Sequence, residues 1–422
     1  MAGEELGIAM PPVTRRTALV GAAAALAAPA LVRAQSLGGG ARVVVVGAGV
    51  FGAWTAEYLR RAGAKVLLLD AWGPAHARAS SGGESRMTRA AYGRDEVYTR
   101  MALDSLAEWK ALSARSELPL FHPHGVLFFA SGPDAQIADS AAVHRRLGLP
   151  SEVLTPAEMR RRFPQIDFTG VTVGIYEPQF GALMARRAVQ ELVASYIPTG
   201  GLYEREAVLP PVASGKRLRA VRTQSGRTIE ADTFVFACGP WLPKLFPTLL
   251  GRRIFPTRQE VFFFAPEPGD SRYLPDRFPG WADFNNGDVY YGFPDLEARG
   301  FKIAHDAHGP AIDPDIGDRV PSAQALADVR AFMARRFPAL AGRPLSEARV
   351  CQYENSANGD FLIDRHPQMA NLLLVGGGSG HGFKHGPAVG RYAAELLTGK
   401  LGRPEPRFSL ATKGETQRRD VH

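Results

Sequence analysis

The stretch from residue 41 to residue 70 limits what this chain can fold into more than any other part of it. Residues 41–46 are an apolar run that reads as a buried parallel strand. Gly47-Ala48-Gly49-Val50-Phe51-Gly52 follows, then a helix-like stretch over 53–62 and a second strand-like stretch over 65–69 that ends in Asp70. In a strand–turn–helix setting each glycine has its own task. Gly47 allows the tight turn, Gly49 lets the backbone approach a pyrophosphate, and Gly52 lets helix and strand pack closely. Phe51 lies in the same turn, the helix N-terminus faces the anion, and Asp70 is spaced to accept hydrogen bonds from ribose hydroxyls. The competing reading is a glycine-rich turn in an ordinary α/β protein. Spacing and context together favour a dinucleotide site.

Composition then removes other classes. The chain has 422 residues, 45% of them apolar and 22% charged, so it can bury enough surface to fold. Two cysteines cannot staple a chain of this size. No uncharged apolar run reaches the roughly 18 residues needed to span a bilayer repeatedly. At about 150 residues per domain the length suggests two or three domains. The formal charge is +8, yet Lys and Arg are scattered, with short runs such as Arg160-Arg161-Arg162 the longest. Nucleic acid is therefore not an expected partner. A basic site for an anionic substrate remains open.

The N-terminal segment reads as an address. Thr14-Arg15-Arg16 precedes an uncharged, Ala-rich stretch over 17–32, and Val32-Arg33-Ala34 offers small residues for cleavage. The pattern is that of a twin-arginine signal peptide over 1–34, which predicts a periplasmic or secreted protein with no stable membrane insertion after cleavage. A core helix and a permanent anchor are the alternatives. The run has no polar face for the first and is short for the second. The twin-arginine route carries folded proteins and suits those that acquire a cofactor before export.

Later segments decide between nicotinamide and flavin. Residues 79–89 form a small polar loop containing Ser80, Ser81, Arg86 and Arg89. Residues 231–241 read as a strand running into a tight turn with Gly239 and Trp241. Residues 371–375 read as another strand, which enters the glycine loop with Gly380, Gly382, Phe383 and Lys384 before a helix over 387–397. That loop is suited to hold an electron-rich ring edge with backbone N–H groups. Contacts spread over the whole chain suit the long FAD molecule better than a nicotinamide on one compact domain.

In this order the segments resemble the monomeric sarcosine oxidase and N-methyltryptophan oxidase group of the D-amino-acid-oxidase-like flavoproteins. The likeness runs from about residue 42 to 410. Its most telling pieces are residues 83–89, Arg258-Gln259, Tyr290-Tyr291-Gly292-Phe293-Pro294, Asp313-Pro314-Asp315, and Cys351-Gln352-Tyr353 through His366-Pro367. The resemblance implies an α/β fold: a Rossmann-like FAD-binding domain over 41–110, 183–250 and 345–410, interleaved with an α+β substrate domain built on a mixed sheet over 111–182 and 251–344. It also implies a monomer acting on a small-molecule amine or amino acid with oxygen taking the electrons, while the export signal makes a periplasmic electron acceptor the alternative.

Site residues follow from the same resemblance. Cys351 matches the position where the group attaches FAD covalently, by a thioether to the flavin 8α-methyl. An inert thiol and a disulfide to Cys238 are the competing readings. Lys384 matches a lysine beside the flavin, where a cation stabilises the charge that builds on oxygen and can touch a substrate carboxylate. A solvated lysine at the helix start is its alternative. Arg89 matches the arginine that forks onto the carboxylate, with a structural ion pair as its alternative, and Arg86 belongs near the flavin. Tyr353 and Tyr291 match residues bounding the pocket. Two departures stand out. Asp306 occupies the place of a histidine found in sarcosine-oxidising members, which favours a substrate with a second amine, and Gly82 stands where some members have a histidine. The expected reaction is oxidation of an amine C–N bond with release of hydrogen peroxide.

Overall fold

The glycine fingerprint works because it presses backbone against backbone. In the computed structural model, which describes residues 39–132, 134–212, 215–284, 287–307 and 309–418, the strand Arg42–Val46 pairs in parallel with Lys65–Asp70, and the helix Val50–Arg61 joins them. The expected signal over 1–34 lies outside the described residues. The helix starts three residues before the sequence-based start at 53, directly after Gly49. Gly47 has φ +102°, and a Cβ there would stand 2.4 Å from the Ala237 carbonyl oxygen. At Gly52 a Cβ would stand 1.8 Å from the Gly47 carbonyl oxygen. Any side chain at either position would force the helix off the sheet.

These strands belong to a six-stranded sheet ordered Leu362–Arg365, Leu372–Gly376, Thr233–Phe236, Arg42–Val46, Lys65–Asp70, Leu202–Arg205. Every neighbouring pair is parallel except the hairpin formed by the first two. Beyond polar residues at their ends, its inner strands are apolar, as a sheet covered on both faces requires. The carboxyl ends of these strands deliver the turns at Gly47, Gly239 and Gly377, where an open α/β sheet binds its ligands.

A second, mixed sheet has eight strands, ordered Leu345–Ser356, Ile254–Phe264, Phe301–His305, Tyr290–Phe293, Gly280–Asp283, Val126–Ala130, Val173–Glu177, Glu152–Leu154. Only Gly280–Asp283 and Val126–Ala130 pair in parallel among these. The long pair Ile254–Phe264 and Leu345–Ser356 sets Gln259 opposite Cys351 and Thr257 opposite Tyr353. A parallel sheet beside a mixed one is the expected fold class, and the strands of each come from scattered parts of the chain.

An early helix and a late one pack together as a pair. Gly386–Thr398 packs on Val50–Arg61, and Trp54 fills the seam, fully buried and edge-on to Trp109 at 5.3 Å. A Cβ on Gly390 would stand 2.5 Å from the Trp54 backbone carbonyl carbon. Alanine is better than glycine inside a helix by about 1 kcal/mol, but overpacking a seam this tight costs about 1–3 kcal/mol. Gly390→Ala is therefore expected to lower the urea midpoint of unfolding. A raised midpoint would show that the helices separate freely.

Candidate functional site

A cavity of about 440 Å³ runs along the carboxyl ends of the six-stranded sheet. Of the residues expected to hold a cofactor, Gly47, Gly49, Phe51, Asp70, Ser80 and Ser81 line one stretch of it. Arg86, Gly239, Trp241, Gly380, Gly382 and Phe383 line the rest. A Cβ on Gly49 would stand 3.5 Å from the Ser81 Oγ, ordinary contact distance, so the bare backbone lining the cavity there leaves room for a ligand to approach. Ser81 closes the fingerprint turn, its Oγ accepting from the Val50 N–H at 3.0 Å. Asp70 also organises that turn: Oδ2 accepts from the Ala48 N–H at 2.7 Å, and Oδ1 from the N–H groups of Trp72 and Gly73 at 2.9 and 2.8 Å. A carboxylate has further lone pairs, so ribose hydroxyls remain possible partners.

One wall of the cavity is held together by charged groups. Trp241 donates its indole N–H to Asp315 at 2.7 Å, and Lys244 donates to Asp313 at 2.7 Å and Asp315 at 2.5 Å. Trp72 lies 4.7 Å from Trp241, ring centre to ring centre. The motif Asp313-Pro314-Asp315 thus acts as a strap. Inside, the Ser80 hydroxyl is buried without a protein partner. An orphaned hydroxyl, a wall of bare glycine backbone and a long cavity ending at aromatic rings fit FAD.

Gly52, Cys351 and Lys384 stand outside this cavity's lining. Gly52 acts from behind, by letting the helix close on Gly47. Cys351 sits on the second sheet beside Arg86, which its sulfur faces. Both thiols are free, and Cys238, which lines the cavity, donates from Sγ to the Val46 carbonyl at 3.3 Å. The disulfide reading is thereby set aside. At Gly82 a Cβ would stand 2.1 Å from the His76 carbonyl oxygen, so the backbone as it runs here has no room for a histidine.

A second cavity of about 90 Å³ shares Arg86, Tyr353, Ser379, Gly380 and Phe383 with the long one. All the residues expected to act on substrate line it: Arg89, Lys384, Tyr291, Tyr353 and Asp306. Lys384 is buried, in a single 3-10 turn that precedes the helix, so it is not a solvated lysine. Its Nζ donates to the His381 carbonyl at 2.7 Å. Burial and the Arg89 charge push its amine well below the usual lysine range, while Asp306 and Glu177 pull it back. Arg89 lies over the Tyr92 ring at 3.9 Å and donates to the Ala91 carbonyl at 2.5 Å. Across the pocket, Tyr353 donates its hydroxyl to Asp306 at 3.2 Å. Burial and the Asp306 charge raise the Tyr291 hydroxyl to about 12. His305, next to Asp306, is spent elsewhere, on Asp288 at 2.6 Å and against the Tyr290 ring. His308 lies outside the described residues.

Sequence reasoning missed three groups. Lys302 is 2% exposed, donates to the Ser85 carbonyl at 3.0 Å and its Oγ at 3.2 Å, and lies 4.9 Å from the Phe293 ring. Burial, with Arg86 nearby, lowers its amine to about 7. The available signal was a lone cation inside the apolar strand Phe301–His305. Glu354, next to Tyr353, is buried against the long cavity. Tyr92 joins two buried histidines, His385 at 2.7 Å and His381 at 3.2 Å.

Comparison with known proteins agrees with this geometry. The pattern of the family described as FAD dependent oxidoreductase matches residues 42–396. The monomeric sarcosine oxidase of Bacillus sp. (strain B-0618) is 33% identical over 383 residues, covering 87% of this chain and 95% of that protein. The N-methyl-L-tryptophan oxidase of Salmonella arizonae (strain ATCC BAA-731 / CDC346-86 / RSK2980) is 32% identical over 380 residues, covering 87% and 96%. Among solved structures, the L-proline dehydrogenase from P. horikoshii superposes with a TM-score of 0.77 at 21% identity, covering 90% of this chain and all of that one.

Lys302 sets a pH dependence whose sign is fixed. Its amine titrates near 7 when folded and near 10.5 when exposed, so the folded protein holds fewer protons between these values. Stability therefore rises with pH across that window, and the whole penalty, a few kcal/mol, applies below about pH 7. Lys302→Met is expected to be more stable than the parent at about pH 6, with the advantage shrinking toward pH 10 in urea titrations. An advantage constant with pH would refute a buried, depressed amine.

Proposed function

The chain belongs to the FAD-dependent oxidoreductase family, and on that premise we propose that it oxidises the C–N bond of a small N-methyl amino acid or related amine. The carrying observation is the pairing, in one small pocket, of two cations with a carboxylate and two phenols. Arg89 and Lys384 supply the positive end; Asp306, Tyr353 and Tyr291 supply the other.

A substrate carboxylate would bind at Arg89 and Lys384. An anion arriving there restores the charged form of Lys384 that burial and Arg89 otherwise disfavour. The ammonium would then face Asp306, whose carboxylate the Tyr353 hydroxyl orients. The substrate reacts as the neutral amine, its ammonium proton lost to solvent, since that is the form from which a hydride can depart. FAD, if bound beside this pocket, would supply the acceptor for that hydride, which carries both electrons of the oxidation, and oxygen would be the oxidant that restores it, giving hydrogen peroxide. Water then hydrolyses the imine to an aldehyde or keto product. Asp306 also favours substrates with a second amine, because a carboxylate attracts a second cation where a histidine would not.

Covalent attachment of FAD through Cys351 is part of this reading, supported by that thiol lying beside Arg86. Export on the twin-arginine route, to the periplasm or beyond the cell, is part of it too. That segment favours a second reading, a dehydrogenase that hands electrons to a periplasmic acceptor rather than to oxygen. An oxygen electrode with candidate N-methyl amino acids separates the two.

Arg89→Met is expected to raise KM for an N-methyl amino acid about 100-fold, the loss of a charge-assisted carboxylate contact, while changing KM for its methyl ester little. Equal losses on acid and ester would remove Arg89 from carboxylate binding. Lys384→Met should slow peroxide formation in the same assay by at least about tenfold. Unchanged oxygen reactivity in that variant would sink its role.

A further inference from the structure

Glu354 takes no part in the chemistry above, yet it occupies the cofactor cavity. It follows Tyr353 on the strand Leu345–Ser356 and is 6% exposed. Its Oε1 accepts from the Gly377 N–H at 2.9 Å, and the Gly378 N–H also faces the carboxyl. A Cβ on Gly376 would stand 2.2 Å from Oε1, and one on Gly239 3.7 Å from Oε2. The carboxyl is therefore wedged between the two glycine turns that close the cavity. No side chain among the described residues bonds Oε2.

The charges around it do not compensate an anion. From the Gly239 turn the facing titratable group is Cys238, whose thiol is pushed up by burial and by the carboxylates of Asp70 and Glu354. Asp70, at the end of Lys65–Asp70, is a second acid lining the same cavity. The C-terminal glycine loop offers only backbone N–H groups, and no Lys or Arg among the described residues pairs with Glu354. Burial outweighs those two donors and raises the carboxyl to about 8. At neutral pH it carries its proton. A carboxylate there would repel the pyrophosphate of a bound dinucleotide; a carboxylic acid does not.

We propose that Glu354 binds FAD as a neutral carboxylic acid, with Oε1 fixed by the glycine N–H groups and the O–H donated from Oε2 to an acceptor oxygen of the cofactor. The inference rests on the family's use of FAD and deepens it. It makes cofactor retention proton-linked. The bound form keeps the proton, so its titration point lies above the free value of about 8. Affinity then falls as pH rises past that value, by at most about tenfold per pH unit.

The test uses holoenzyme and the temperature at which flavin fluorescence rises as the protein unfolds, a signal that appears whether or not Cys351 holds the ring. Wild type and Glu354→Gln are compared from about pH 6 to about pH 10. Glutamine keeps a donor but cannot ionise. Wild type should lose stability relative to the variant as pH rises from about 6 through about 8, the gap widening by several degrees until the bound carboxyl itself ionises. Glu354→Ser, which also cannot ionise, serves if the glutamine variant fails to fold; its curve should be lower at neutral pH but free of the extra alkaline drop. Parallel curves for wild type and either variant overturn the proposal. A wild-type protein that neither carries nor takes up flavin overturns the FAD reading itself, which the colour of the preparation reveals before any curve is measured.

Discussion

The approach of the Gly47 turn to the end of the strand Thr233–Phe236 is the contact on which the site depends. A Cβ at Gly47 would lie 2.4 Å from the Ala237 carbonyl oxygen, so the two backbones meet with nothing between them. That approach lets Gly52 bring the helix down, sets the helix N-terminus at the cavity wall, and places Cys238 and Gly239 opposite the fingerprint. Asp70 reinforces it from the other side by tying the N–H groups of Ala48, Trp72 and Gly73 to one carboxylate. The cavity is thus walled by main chain, which presents fixed donors without side-chain entropy to lose.

Inside, the electrostatics depend on how little water is present. Lys384, Lys302 and Glu354 are all nearly fully buried, and burial drives each toward its neutral form. Such groups change charge readily when a partner arrives. In the proposed reading Lys384 would meet an anion in the substrate pocket, whereas Glu354 would meet an anionic cofactor that its neutral form tolerates. Lys302 lies off both of these cavities, in the layer with Ser85 and Phe293.

Much of the first sheet and its loops could be read in the sequence, because each of those signals is local. A glycine fingerprint, an apolar strand and the turn beside it lie within a few residues of each other. Arg89, Tyr291, Tyr353, Asp306 and Lys384 were legible only through resemblance, since they come from five separate segments that meet in three dimensions. Lys302 and Glu354 escaped for a related reason. A lysine in Phe301–His305 or a glutamate in Leu345–Ser356 takes its meaning from what the neighbouring strands and turns leave facing it. The ribose role expected of Asp70 was read from spacing alone, whereas three of its hydrogen bonds serve the turn itself. The reading of Cys351 as a possible disulfide partner failed because Cys238 is held on the other sheet, bonded to Val46.

The strap along one wall of the cavity has a consequence for the order in which the molecule is made. Its pieces, Trp72, Trp241, Lys244 and Asp315, belong to distant parts of the chain, and the inner wall waits for the loop ending at Phe383. Contacts at such sequence separations form late in folding. A ribosome must therefore have released nearly the whole polypeptide before there is a vessel for the cofactor, and Lys244 reaches Asp313 and Asp315 only once those separate segments have met. Cofactor capture in this protein is in that sense an event of the finished chain and not of a growing one.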